Sequence, residues 1–440
     1  MKSVTLVNLV PQVKDSTVPL GPLYIAAVLE DMGCQVDFRD YQLSGYQNPL
    51  CHESILDFLS NSEDFLGIGC YFNVLPFLLP SLEKIKEETP EKTIILGGPG
   101  PSSVAKKLME KFSCIDVIVK GEGEATMKEL AENTPLNRIN GIVYRDNGKI
   151  YTTPKRERIN NLDCLPFPAY EKVDLSLYDQ AGVVTARGCP YHCSFCEVAS
   201  LWGYHTEHRS VDQVIKEITM LHEKGVTSLH INDDTFVLHR KWVLSFCEKL
   251  QKESIDMTWK CLGRINLMDE ELLSAMADAG CTGIQYGVES GSERVLKMVG
   301  KQISVPQIKK VIALSTKYIE YVLSTFMWGF PFETMGDFFQ TVYLMGVLVE
   351  MDSLVKLLFL SPAPLSPLYR EYCDQLKFDE KFVPNLLWGD YQDTLSVEEK
   401  HDVINFIREY PDVFAAFYYI YTPEVEKKYQ FLKKAGILQE

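Results

Sequence analysis

The chain has 440 residues, with 46% hydrophobic and 24% charged side chains and a formal net charge of −16. That length suits two domains plus an extension. The acidic balance argues against a nucleic-acid partner, because phosphate contacts need clustered Lys and Arg. The densest basic run, Lys155-Arg156-Glu157-Arg158, carries its own acid. No apolar stretch reaches the roughly 18 residues of a membrane span, and residues 1–10 read as a first strand, not a signal peptide. The expected location is the cytoplasm.

Residues 1–138 alternate short apolar runs with helical patterns. Strands are predicted at 3–10, 35–40, 65–70, 93–97 and 116–119, with helices over 23–32, 78–88 and 102–112. Such alternation predicts a doubly wound parallel sheet of Rossmann-like type. Residues 139–153 read as a hairpin turning at Asn147-Gly148, and the Pro-containing run 160–170 as a linker, so that 139–180 joins two domains. Over 181–370 a second alternation predicts strands at 183–187, 228–232, 257–262, 283–288, 322–328 and 355–360. Their spacing fits a partial (β/α)6 barrel with chemistry at the carboxyl ends of its strands. Residues 371–440 read as a helical, aromatic-rich extension, in which 413–421 packs against the barrel.

Twelve cysteines are present, and nine are scattered as small buried hydrophobes would be. Cys189, Cys193 and Cys196 are different, spaced Cys-x3-Cys-x2-Cys on a loop after the first barrel strand. Soft thiolates at short spacing favour zinc or iron–sulfur ligation. Zinc would need His192 or His205 as a fourth ligand. A [4Fe–4S] cluster on three protein ligands would keep one iron open for chemistry.

This motif, with Phe195 as the aromatic before its last cysteine, resembles the signature of radical S-adenosylmethionine (SAM) enzymes. In that superfamily SAM chelates the open iron and is cleaved to a 5′-deoxyadenosyl radical. The resemblance covers about residues 183–370 and implies further cofactor contacts. Asp234, after the second strand, would receive the SAM ammonium group, and Arg264, after the third, would pair with its carboxylate. Glu289 and Ser290 end the fourth strand near the ribose. Gly329-Phe-Pro-Phe-Glu-Thr334 resembles a Gly-x-Pro-Gly-Glu-Thr element, with Phe332 in place of its second glycine. His205, His208 and His230 read as hydrogen-bonded loop and barrel residues.

The first domain resembles the cobalamin-binding fold of one large radical SAM subgroup. The matching pieces are 19–27, Gly97-Gly98-Pro-Gly-Pro-Ser102 and Gly121-Glu122-Gly-Glu124. Asp40-Tyr-Gln42-Leu-Ser-Gly45 lies where such proteins carry Asp-x-His-x-x-Gly, so Gln42 replaces the cobalt-ligating histidine. Cobalamin then binds with its lower axial position open or water-occupied, or the fold is retained without it. The resemblance implies methylation of an unactivated carbon of a small-molecule or natural-product substrate, with an external one-electron reductant of flavodoxin or ferredoxin type. The alternatives are a non-methylating radical reaction (dehydration, cyclisation or rearrangement) and methylthiotransfer. The last needs three more clustered cysteines, whereas Cys34, Cys70 and Cys114 are dispersed.

Overall fold

The computed structural model describes residues 2–11, 16–382 and 395–437. Ser3–Asn8 (β1) is a nearly unbroken buried run, as a central parallel strand requires. It lies between Gln35–Asp40 (β2) and Phe65–Gly69 (β3), and Thr93–Gly97 (β4) and Val117–Val119 (β5) extend the parallel sheet beyond β3. The order β2-β1-β3-β4-β5 changes direction between β1 and β3. In open α/β sheets ligands bind outside the carboxyl ends of the strands at such a point.

Ile142–Asp146 (β6) and Lys149–Thr152 (β7) form the hairpin, turning through Asn147 and Gly148 at φ 46° and 75°. It is not part of a linker. β6 pairs antiparallel with β5 because Ile142, Val143 and Tyr144 are apolar and buried against the sheet's core.

In the second unit, Ala181–Val183 (β8) enters a six-stranded sheet, after which Ala186–Arg187 (β9) pairs with Glu207–His208 (β10). The sequence suggests one strand over 183–187; the structure breaks it at Thr185. There the Asp233 carboxylate accepts from the amides of Thr185 and Ala186 at 2.7 and 3.0 Å. Those donors are withdrawn from the ladder, and the chain leaves the sheet. Ser228–Ile231 (β11), Thr258–Gly263 (β12), Cys281–Glu289 (β13), Tyr321–Trp328 (β14) and Leu354–Phe359 (β15) follow, all parallel and in chain order. With helices between successive strands and β8 and β15 at the edges, this is the connectivity of a partial (β/α)6 barrel.

The stretch 371–440 is divided between the units instead of forming one extension. Unit 1 comprises 1–180 and 378–418; unit 2 comprises 181–377 and 419–440. Ile407, Val413, Phe414 and Phe417 are buried in the first unit's core, where Phe112 lies 5.0 Å from the Tyr410 ring. Leu376–Lys377 (β16) and Tyr419–Ile420 (β17) pair antiparallel in the second unit, and Phe431 of helix Pro423–Lys434 packs edge-on against Phe338 and Phe339. The aromatic run 413–421 is thus split, its first part in the first unit and its last in the second. Residues 383–394 and 438–440 of this stretch lie outside the described residues. No helix among the described residues is long and apolar enough to cross a membrane.

Candidate active site and cofactor cradles

The cysteine loop follows β9 and is pinned from several sides. The Gly188 amide donates to Asp234 Oδ2 at 3.0 Å, Ser194 donates to the Val299 carbonyl at 3.0 Å, and Leu368 donates to the Ser194 carbonyl at 2.8 Å. Gly300 leaves no room for a side chain, since a Cβ there would meet the His192 carbonyl oxygen at 2.9 Å. Phe195 packs 5.9 Å from Phe330 in an apolar cluster with Val295, Val299 and Leu368. Phe332 stacks on Phe330 at 5.7 Å, so the ring in place of the second glycine is absorbed into that cluster.

All three thiols are half-buried on this loop. Burial pushes the Cys196 thiol up to about 11, and the neighbouring Cys193, Cys189 and Asp234 add to the shift. Thiolates in such a place need a cationic partner. Ser194 Oγ, Glu197 Oε2 and Arg264 Nε are buried here without a hydrogen-bond partner. Buried polar atoms are rarely left so unless a ligand completes them. An iron–sulfur cluster on Cys189, Cys193 and Cys196 fits this donor set. Zinc does not gain its fourth ligand, because His192 stacks on Tyr204 at 4.0 Å and His205 Nε2 lies 2.5 Å from Glu207 Oε1.

The other predicted contacts surround the loop. Arg264 is buried; its Nη2 donates to the Lys301 carbonyl at 3.0 Å, its Nη1 lies 4.0 Å from Cys193 Sγ, and its guanidinium sits 3.4 Å from the Tyr191 ring centroid. Glu289 ends β13 at φ 69°, a conformation that costs a non-glycine residue about 1–3 kcal/mol. Its Oε1 accepts from the buried Lys301 ammonium at 2.6 Å. Gly287 makes room for the pair, since a Cβ there would meet Glu289 Oε1 at 2.4 Å. Ser290 is fully buried, its hydroxyl 3.0 Å from that of Thr341 and accepting from the Ser292 amide at 3.1 Å, and so caps the strand end.

Sequence reasoning missed Tyr191, Lys301 and Asp233. Tyr191 lies inside the cysteine motif and was the one open to inference; Lys301 and Asp233 announce themselves only through their partners. Burial raises Asp233 to about 6 against hydrogen bonds from Thr185 and Ala186 that lower it. A raised folded pKa gives stability that is fully present below the unfolded value near 4 and lost as pH rises through about 6. The span from 3.8 to about 6 amounts to about 3 kcal/mol. Asp233→Asn stays neutral and keeps both acceptor bonds. Its stability relative to the wild type is therefore expected to rise between about pH 4 and 6 and level off above, as followed by urea unfolding at stepped pH. A flat difference across that range would contradict the assignment.

In the first unit, the glycines at the strand ends fall into two kinds. A Cβ on Gly45, Gly97 or Gly121 would find nothing within 4 Å, so these positions border open space. Gly98 and Gly100 serve packing instead: their Cβ atoms would meet Cys70 O at 2.8 Å and Phe72 N at 2.5 Å. Open backbone at the sheet's carboxyl edge suits a flat ligand such as a corrin.

Gln42 is turned away from that space. Its Nε2 donates to Asp40 Oδ2 at 3.0 Å and to the Thr17 carbonyl at 3.1 Å, and its Oε1 accepts from the Thr17 amide at 3.3 Å. Asp40 also accepts from Asn8 at 2.8 Å and Tyr178 at 2.6 Å. Both ends of the Gln42 amide are thus engaged by protein. Glu122 is buried and accepts from the Ile159 amide at 2.8 Å, with Arg158 nearby. Cys70 and Cys114 are buried core residues whose thiols burial raises to about 12.

Comparison with known proteins agrees with both units. The family model described as the radical SAM superfamily matches residues 183–345, and that of the B12 binding domain matches residues 8–131. An uncharacterized methyltransferase of Pyrococcus horikoshii is 30% identical over 336 residues, covering 74% of this chain and 72% of that protein. The anaerobic magnesium-protoporphyrin IX monomethyl ester cyclase of Rubrivivax gelatinosus is 30% identical over 325 residues, covering 69% of this chain and 57% of the cyclase. In fold, the chain is similar to a radical SAM methyltransferase of Kitasatospora setae solved with cobalamin and a [4Fe–4S] cluster bound. The TM-score is 0.69 at 20% identity, over 85% of this chain and 75% of that one.

Proposed function

This chain belongs to the cobalamin-binding radical SAM enzymes, and from that premise we propose that it methylates an unactivated carbon of a small-molecule or natural-product substrate. The carrying observation is the pairing in one chain of a three-thiol loop at the barrel's catalytic end with a B12 binding domain whose strand-end glycines face open space. When bound, the cluster and SAM supply a carbon radical, and cobalamin supplies a methyl carrier.

The protein's part is to hold and orient these groups. Cys189, Cys193 and Cys196 ligate the cluster, and Phe195 anchors the loop in its apolar bed. In this proposal Asp234 receives the SAM ammonium, and Glu289 and Ser290 shape the ribose end. Gly45, Gly97 and Gly121 border the corrin, Gly98 lets the backbone close on Cys70 beside them, and Asp40, Gln42 and Glu122 brace that border from behind. With its amide committed to Thr17 and Asp40, Gln42 would not serve as a ligand to the cobalt of a bound cobalamin. A flavodoxin- or ferredoxin-type reductant in a reducing cytoplasm completes the scheme.

Anaerobic reconstitution with iron, sulfide and hydroxocobalamin tests it. About four irons and about one cobalt per chain are expected, with cobalamin-dependent conversion of SAM to S-adenosylhomocysteine. Iron and 5′-deoxyadenosine without cobalt or S-adenosylhomocysteine would favour a non-methylating reaction, the reading supported by the likeness to the cyclase. Zinc in place of iron would overturn both.

A further inference from the structure

We propose that Arg264 acts on the cluster itself, as a cation that sets its reduction potential, and that Tyr191 positions it. This rests on the cluster reading above but not on methyl transfer. Two of the three guanidinium nitrogens are already directed at protein: Nη2 is held by the Lys301 carbonyl at 3.0 Å, and Nη1 faces Cys193 Sγ at 4.0 Å. The Tyr191 ring, two residues before Cys193, lies 3.4 Å from the guanidinium carbon and fixes its plane. Arg264 and Lys301 are both buried, so water does not screen them. Lys301 is neutralised by Glu289 at 2.6 Å. Among the described residues no carboxylate is seen bonded to Arg264, and its charge falls on the thiolate.

One-electron reduction makes a cluster more negative. A nearby cation and N–H donors to its sulfurs stabilise the reduced form and raise the potential. Such a setting makes the cluster easier to reduce by an ordinary cellular donor. It also assigns Arg264 a role other than a free fork for the SAM carboxylate.

The test is an EPR-monitored redox titration of the reconstituted full chain, with iron counted for every variant. For Arg264→Gln with full iron, we expect a reduced-to-oxidised ratio at the wild-type midpoint about tenfold lower, a shift of about 59 mV for one electron. Tyr191→Leu should move the midpoint in the same direction by less, and Tyr191→Phe, which keeps the ring, should leave it in place. An iron-replete Arg264→Gln with the wild-type midpoint overturns the proposal, and weaker SAM binding alongside would return Arg264 to the carboxylate. If that variant assembles no cluster, the Tyr191 pair decides: equal midpoints in the leucine and phenylalanine variants overturn the positioning role. Absence of iron from the wild type would instead sink the cluster reading.

Discussion

Cys193→Ala is expected to reduce 5′-deoxyadenosine formation to that of a protein-free blank and to strip iron from the chain, while cobalt content stays at the wild-type level. Cys193 is the middle thiol of the loop, and its carbonyl accepts from the Cys196 amide at 3.1 Å. The substitution removes the proposed ligand without disturbing that turn. Two thiols and no adjacent replacement cannot hold four irons. Among the described residues Cys70, Cys114, Cys247, Cys261 and Cys281 are buried in the cores of the two units. The first unit has its own core and its own open strand ends, which do not depend on the loop. Iron and deoxyadenosine are measured against cobalt in one preparation. Retained turnover in an iron-replete variant would end the ligand assignment.

The largest stability effect is expected from Lys428→Met. Lys428 lies on helix Pro423–Lys434, and its side chain and that of Glu333 are both 0% exposed. The ammonium donates to Glu333 Oε2 at 2.8 Å and to the Glu333 carbonyl at 2.7 Å. Glu333 Oε2 also accepts from the Gly329 amide at 3.2 Å, which closes the Gly329–Thr334 loop on itself, while Oε1 has no partner. Burial pushes the Glu333 carboxyl up, and Lys428 is the largest influence opposing it, followed by the Gly329 amide.

Removing the cation leaves a buried, uncompensated carboxylate, at a cost of about 3–5 kcal/mol. Adding Glu333→Gln removes the charge and should recover most of the loss, because the amide oxygen still accepts from Gly329. Four of the five tryptophans, Trp202, Trp242, Trp259 and Trp328, lie in this unit, so urea unfolding followed by tryptophan fluorescence reports mainly on it. A single variant within about 1 kcal/mol of the wild type, a shift ordinary for any substitution, would show that the pair is not structurally important.

What the residues disclosed in advance was local. The two sheets follow from strand and helix patterns that repeat every few tens of residues, and the three thiols proposed as cluster ligands lie within eight positions of one another. Elements whose form is set by distant partners were not legible. β9 departs from β8 because Asp233, 48 positions away from Thr185, takes its amides. Lys428 meets Glu333 across 95 positions. Gln42 looked like a failed metal ligand from its motif position, and only the Thr17 contacts show where its amide is spent. The division of 371–440 was equally hidden, since no local pattern assigns Phe414 and Phe431 to different cores.

That division bears on how the chain is made. The first unit cannot bury Ile407, Phe414 and Phe417 until residue 418 has left the ribosome, although its sheet is complete by residue 152. At synthesis rates of about 5–20 residues per second the interval from residue 180 to residue 418 lasts roughly 10–50 s. Throughout that time the surface around Phe112 stands uncovered, so a nascent chain stalled within the barrel would present it to chaperones or to its neighbours.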